Sequence, residues 1–190
     1  MFSKRYFLIR GLKVFGAPVY LHISAVVVLV LLGLATLNDP AFGVVAVISY
    51  FAIILIHEAG HAFVAHKLGL EVLNIQVGWI HGACEYEAAR NELGSILVAW
   101  GGVAAQLLVA IPVLVVGALY PLEDHGIFGP VLVFLGYVNL LIALINLAPS
   151  TLLDGGEAWR IVPYWFRSRK RQQKNLSAKQ KARKRWGVGD

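Results

Sequence analysis

The chain has 190 residues, 58% of them hydrophobic and 15% charged, with a mean hydropathy of +0.67 and a formal net charge of +6. Soluble domains run at about half apolar and a quarter charged, so these figures exclude disorder and argue against a water-soluble globule, while a single cysteine excludes a disulfide-stapled scaffold. What remains is an integral membrane protein, whose positive charge bears on orientation and lipid contact before it bears on nucleic acid.

A hydrocarbon core roughly 30 Å thick asks for about 20 mostly apolar residues per spanning helix, and four stretches meet that demand. The first is Val19 to Leu37, ended by Asn38-Asp39-Pro40; it is longer than the apolar part of a signal peptide and lacks an Ala-x-Ala site. The second runs from about Phe42 to Leu68 and is interrupted by His57-Glu58. The connection from Gly69 to Leu93 differs in character. Residues 72–77 alternate in part, and Gly78 and Gly82 punctuate them, which predicts a short hairpin or re-entrant strand. The third span is Gly94 to Tyr120, kinked at Pro112, and the fourth is Ile127 to Ala148. Beyond Pro163 the chain becomes a tail rich in Lys, Arg and Gln, flexible or helical only where anionic lipid supports it. No internal repeat is visible.

Charge sorts these spans by side. Lys4, Arg5, Arg10 and Lys13 precede the first span, Lys67 and Arg90 flank the connection after the second, and the other eleven cations lie at or beyond Arg160. Neither short connection, 38–41 or 121–126, holds a Lys or Arg. By the positive-inside rule all seventeen cations, and both termini, are cytoplasmic. The expected fold class is therefore an all-α membrane protein. It is a bundle of four transmembrane helices with a short cytoplasmic-side hairpin or re-entrant segment between the second and third. Residues 1–163 form the membrane domain and residues 164–190 the basic cytoplasmic tail.

The chemistry centres on His57-Glu58-Ala59-Gly60-His61. Residues four apart on a helix differ by about 40° in azimuth and lie one turn apart, so both imidazoles can reach one metal ion. Glu58, beside the first ligand, can face an open coordination position and take a proton from water. Ionisable groups inside an apolar span cost several kcal/mol unless paired or ligated. The competing reading is an inert polar patch at a helix–helix contact.

A catalytic zinc needs a third protein ligand. Asp154, in the segment Asn146 to Gly156, follows the cytoplasmic end of the fourth span, while His57 and His61 sit toward the cytoplasmic end of the second. Topology thus brings all three to a similar depth. Gly155 and Gly156 would let the backbone turn the carboxylate inward. A helix N-cap for Glu157 to Val162 is the ordinary alternative for Asp154, and Glu85, Glu87 and Glu157 are the other candidate ligands.

HEAGH inside a transmembrane helix, followed by Asn146-x-x-Pro149 and Asp154-Gly155-Gly156, resembles the site-2 protease family of intramembrane zinc metalloproteases. Gly16-Ala17-Pro18-Val19 with His22 and Ser24 is similar to that family's approach to its first span, and Arg90, Glu92 and Leu93 to its lead into the third. Gly101 to Gln106 stands where the family has a Gly-Pro-x-x-Asn segment, with Val103 and Gln106 in place of the proline and asparagine. The resemblance covers about Gly16 to Arg160. It implies one zinc ion bound by His57, His61 and Asp154, with Glu58 as general base and then acid. It brings Asn146 near the site as a donor to the scissile carbonyl, and Gln106 as a substrate contact.

The remaining candidates are weaker. His22 is expected to cap a helix or bond a carbonyl, and His66 lies about 140° off the face of His61. His81 could meet substrate or sit in a turn, and His125 falls on the far side of the membrane. Cys84 is expected as a reduced thiol. The sequence therefore reads as a zinc endopeptidase cleaving a transmembrane segment of another membrane protein, with the 72–82 segment as an edge for an unwound substrate strand. A non-hydrolytic metal carrier or metal-binding scaffold is the alternative. The tail is expected to meet anionic lipid, with no nucleic acid partner, since it adjoins the last helix and belongs to no folded module.

Overall fold

The computed structural model describes residues 5–78, 82–120 and 128–186. The chain opens with a hairpin, β1 (Tyr6–Val14) and β2 (Ala17–His22), closed by Phe15 and Gly16 at φ of 49° and 86°. Two successive positive φ values match the twist of a tight two-residue hairpin turn, and a glycine in the second position relieves half the strain. The register slips between Leu8 and Lys13, around Gly11 at φ 85°, as a β-bulge does. Next come α1 (Ser24–Ala35) and α2 (Pro40–Lys67). Asp39 caps α2 by accepting from the Phe42 amide at 3.0 Å, and Pro40 occupies the first helical position where no N–H is needed.

Strands β3 (Val72–Val77) and β4 (Gly82–Tyr86) follow, paired antiparallel. All four strands form one sheet in the order β1-β2-β3-β4, in which β2 and β3 run parallel. The chain then enters α3 (Glu92–Leu119), capped by Asn91 accepting from the Gly94 amide at 2.8 Å. Helix α4 (Phe128–Asn146) widens to a π-helical stretch over Leu132–Val138. A turn leads to the short α5 (Asp154–Ala158) and the long α6 (Ile161–Trp186).

Among the described residues three helices, α2, α3 and α4, are long and apolar enough to cross a membrane. Their outward side chains are largely apolar, as Ile48, Leu108 and Leu141 illustrate. The protein is a membrane protein. Helices α2 and α3 meet closely at Gly60 and Gly101, where a Cβ on either would collide with the other's carbonyl. The sheet lies against one end of this pair, with Val19, Val72, Ile75 and Val77 packing on Ile54, Ala62, Ala65 and Val98.

Three expectations are corrected. The fold is mostly helical but not all-α, since a four-stranded sheet takes two strands from residues 6–22, where none was expected. The first span shortens, because Val19 to His22 belongs to β2 and α1 has 12 residues, about 18 Å at 1.5 Å per residue. A short apolar run does not distinguish strand from helix by periodicity, and here pairing with β1 and β3 decides. The basic tail is a continuous helix through Trp186.

Candidate metal centre

His57 and His61 project from the sheet-proximal half of α2 and are both buried. Asp154 is the first residue of α5 and reaches them from the far end of the sequence. His57 Nε2 and His61 Nε2 are 3.0 Å apart, and Asp154 Oδ2 stands 2.9 Å from the first and 3.3 Å from the second. The three atoms form a near-equilateral triangle.

The other ring nitrogens fix what this triangle can do. His57 Nδ1 donates to Gln106 Oε1 at 2.9 Å, and His61 Nδ1 donates to the Val98 carbonyl at 2.7 Å. With both Nδ1 atoms protonated, each neutral imidazole turns a bare lone pair on Nε2 toward the triangle. Asp154 Oδ2 is itself buried with no hydrogen-bond donor. Three groups that can each offer a lone pair face one another at contact distance, an arrangement that a cation stabilises. Ligand atoms held about 2.0–2.1 Å from a tetrahedral zinc lie about 3.3 Å apart, close to the separations seen. These donors fit a divalent metal ion of that preference, with one side of the triangle left for a further ligand.

No family model matches the chain. A zinc metalloprotease of Methanocaldococcus jannaschii is 30% identical over 155 residues, 81% of this chain and 45% of that protein. A candidate zinc metalloprotease of Synechocystis sp. is 30% identical over 167 residues, covering 81% and 44% respectively. The solved structure of the site-2 protease from Methanocaldococcus jannaschii matches with a TM-score of 0.65 at 27% identity, over 82% of this chain and 71% of that one. In sequence and in fold the chain is similar to the site-2 protease family. It spans a little under half the length of the two zinc metalloprotease relatives.

Within this site-2 protease fold, Glu58 is 4% exposed and lies against the first residue of β4, where a Cβ on Gly82 would stand 2.5 Å from Glu58 Oε1. Only glycine leaves the carboxylate that space. A second close approach is at Gly102 on α3, where a Cβ would fall 2.5 Å from His61 Nε2 and 2.7 Å from His57 Cε1. Adjacent glycines on α3 serve two different purposes. Gly101 allows close helix packing, whereas Gly102 makes room for the imidazoles. Gly155 and Gly156 also act by close approach, to the Leu147, Ala148 and Ser150 carbonyls, since neither has a positive φ.

The segment carrying Asp154 is pinned by two indoles. Trp159 Nε1 donates to the Leu147 carbonyl at 2.6 Å, and Trp100 Nε1 on α3 donates to the Ala158 carbonyl at 3.1 Å. The sequence does not mark this anchor, nor the parts played by Val98 and Gly102. A carbonyl acceptor leaves no mark in side-chain identity. Asp154 does not act as the N-cap of α5, where Leu153 holds that position without a side-chain bond.

Glu85 bonds Asn74 and Gln76, Glu87 accepts from the Glu71 amide, and Glu157 pairs with Arg160. None of these alternatives joins His57 and His61. His22 accepts from the Ser24 amide at 3.2 Å at the start of α1, and His66 stacks on Phe15. His81 and His125 lie outside the described residues. Cys84 lines the same cavity as the metal centre, but burial, then the Glu58 and Glu85 carboxylates, push its thiol up to about 12. It stays protonated and is a poor ligand or nucleophile.

A cavity of about 660 Å³ opens from the triangle between α1, α2, β4 and α4. Val28, Leu32, Ile53 and Ile142 give it an apolar arm, while Glu58, Asn146 and Asp154 make its polar end. Asn146 Nδ2 is 3.5 Å from His57 Nδ1, a long contact that leaves its amide available to a bound molecule.

Gln106 is fully buried, and its backbone carbonyl accepts from Asn139 Nδ2 of α4 at 3.1 Å. Its amide oxygen accepts from His57, and the residue also lines the cavity. Loss of such a supporting bond to a metal-ligating histidine costs roughly 10–100-fold in metal affinity. Gln106→Leu is expected to weaken zinc binding by that factor. Competition with a chromophoric chelator measures it, and an unchanged affinity would show that the Nδ1 bond does not orient the ring.

Proposed function

We propose that the chain is an intramembrane zinc endopeptidase that cleaves a transmembrane segment of another membrane protein. The observation that carries this reading is the triangle of His57 Nε2, His61 Nε2 and Asp154 Oδ2, beside a buried Glu58 and at the end of an apolar cavity. His57, His61 and Asp154 would hold one zinc ion. That ion, when bound, polarises a peptide carbonyl and lowers the pKa of water toward about 7.

Glu58 takes the proton from the attacking water as the new C–O bond forms. It then delivers that proton to the amide nitrogen as the C–N bond breaks, so one water is consumed per bond cut. Asn146 offers its amide to the carbonyl oxygen as negative charge develops there. A helical substrate hides its peptide groups in internal hydrogen bonds and must unwind to react. Strand β4, an edge of the sheet whose residues Gly82, Ala83, Cys84 and Tyr86 line the cavity, offers such a segment a backbone to pair with. The apolar arm between α1 and α4 suits the rest of that segment.

We read α1 as a fourth, short membrane-inserted helix. Strands β2 and β3 are neighbours in one sheet, which supports a chain that leaves and regains the same side between His22 and Val72. The distribution of Lys and Arg supports that side, and both termini, being cytoplasmic.

The test uses purified chain incubated with detergent-solubilised native membranes, with new peptide termini mapped by mass spectrometry. Cuts inside apolar single-span segments are expected, lost on chelation and restored by one equivalent of zinc. Zinc flux into liposomes without any such cut would replace this reading with a carrier.

A further inference from the structure

Going beyond proteolysis, we propose that α6 is a docking surface for an anionic lipid bilayer, lying along the membrane face rather than projecting into water. Between Ile161 and Trp186 the sequence has ten Lys or Arg and no Asp or Glu. A helix of that charge and with so few neighbours repels itself in water. An anionic leaflet supplies the missing counter-charge over the whole length.

The helix is also sided. From Ile161 to Leu176, at 100° per residue, Ile161, Val162, Trp165, Phe166 and Leu176 fall within about 140° of azimuth, and Arg167, Lys170, Arg171 and Lys174 within about 100° on the other side. Arg169 is the one cation on the apolar side, and beyond Leu176 the cations are spread round the helix. The apolar side is uncovered, with Trp165 46%, Phe166 57% and Leu176 61% exposed. Aromatic rings at the membrane-proximal end of a basic helix suit the headgroup boundary, where an amphipathic ring meets both acyl chain and water. Arg169 lies over the Trp165 ring at 3.7 Å, covering the indole with a cation that can follow it into the interface.

The root of the helix is tied to the membrane domain. Arg160 bridges Glu157 of α5 and Glu92 at the start of α3, at 2.6 and 3.1 Å, and Arg167 reaches Glu92 at 2.5 Å. These pairs fix where α6 leaves the bundle and hold its first two turns beside the end of a spanning helix. Nucleic acid also attracts cations, but it gives no reason for an uncovered Trp-Phe pair on the opposite side.

The test is backbone amide hydrogen exchange over residues 165–186 of the full chain, in nanodiscs of phosphatidylcholine alone or with one quarter phosphatidylglycerol. Exchange is expected to slow at least tenfold in the anionic discs. It should return to the neutral-disc rate in 0.5 M NaCl, and in a variant with Lys170, Lys174 and Lys181 changed to Gln, which leaves the Arg160 and Arg167 pairs intact. Equal exchange in both discs overturns the proposal, as does slowing that the triple variant retains. Protection by duplex RNA in neutral discs, without protection by phosphatidylglycerol, overturns it in favour of a nucleic acid partner.

Discussion

Glu58→Gln is expected to lower peptide-bond cleavage by at least about a thousandfold while leaving zinc content at one per chain. General acid–base catalysis contributes typically about 10²–10⁴, and here one carboxylate serves both halves of the reaction. The substitution keeps the shape of the side chain against Gly82 and removes only the capacity to take a proton. Glu58 is not one of the three donors in the triangle, so the metal set is untouched. Zinc by atomic absorption and cleavage of a co-reconstituted single-span protein are the two readouts. Retained cleavage would mean that another group is the base. Loss of zinc together with cleavage would mean that Glu58 supports the metal centre rather than the proton transfer.

The metal centre was legible in the sequence for a geometric reason. Two imidazoles and a carboxylate packed into five residues of one apolar helix have fixed relative directions, so His57, Glu58 and His61 could be read without any tertiary information. Asp154 was legible by a different route, since span counting brings it to the depth of the histidines, and the structure sets its Oδ2 within 3.3 Å of both. What surrounds them was not legible. Val98 contributes a carbonyl and Gly102 an absent side chain, and neither residue type advertises such a role.

The larger miss concerns the N-terminal sheet. Apolar residues 19–22 run directly into the apolar helix α1, so hydropathy alone joins them into one span. The boundary is set by pairing with β3, some fifty residues away, which no local window contains. The tail was expected to be flexible, or helical only where anionic lipid supports it; Lys, Arg, Gln and Ala are among the better helix formers, and α6 runs unbroken for 26 residues.

Asp154→Ala is expected to abolish both zinc retention and cleavage, and thereby to separate the metal role of this residue from a structural one. The carboxylate is the one formally charged ligand in the triangle, and it joins α5 to α2 across nearly a hundred residues of sequence. Removing it leaves two neutral imidazoles and opens a second coordination side to solvent. The loss of affinity should exceed the roughly 10–100-fold that follows from losing a supporting hydrogen bond, so that dialysis strips the ion. The helix should survive, because Asp154 makes no capping bond and the Trp100 and Trp159 indoles still hold the segment at Ala158 and Leu147. Zinc content by atomic absorption, beside helicity by circular dichroism, distinguishes the cases. Zinc lost with helicity kept is the expected result. Zinc retained at one per chain would show that the ion is held without Asp154, and the hydrolytic reading would then need a different ligand set.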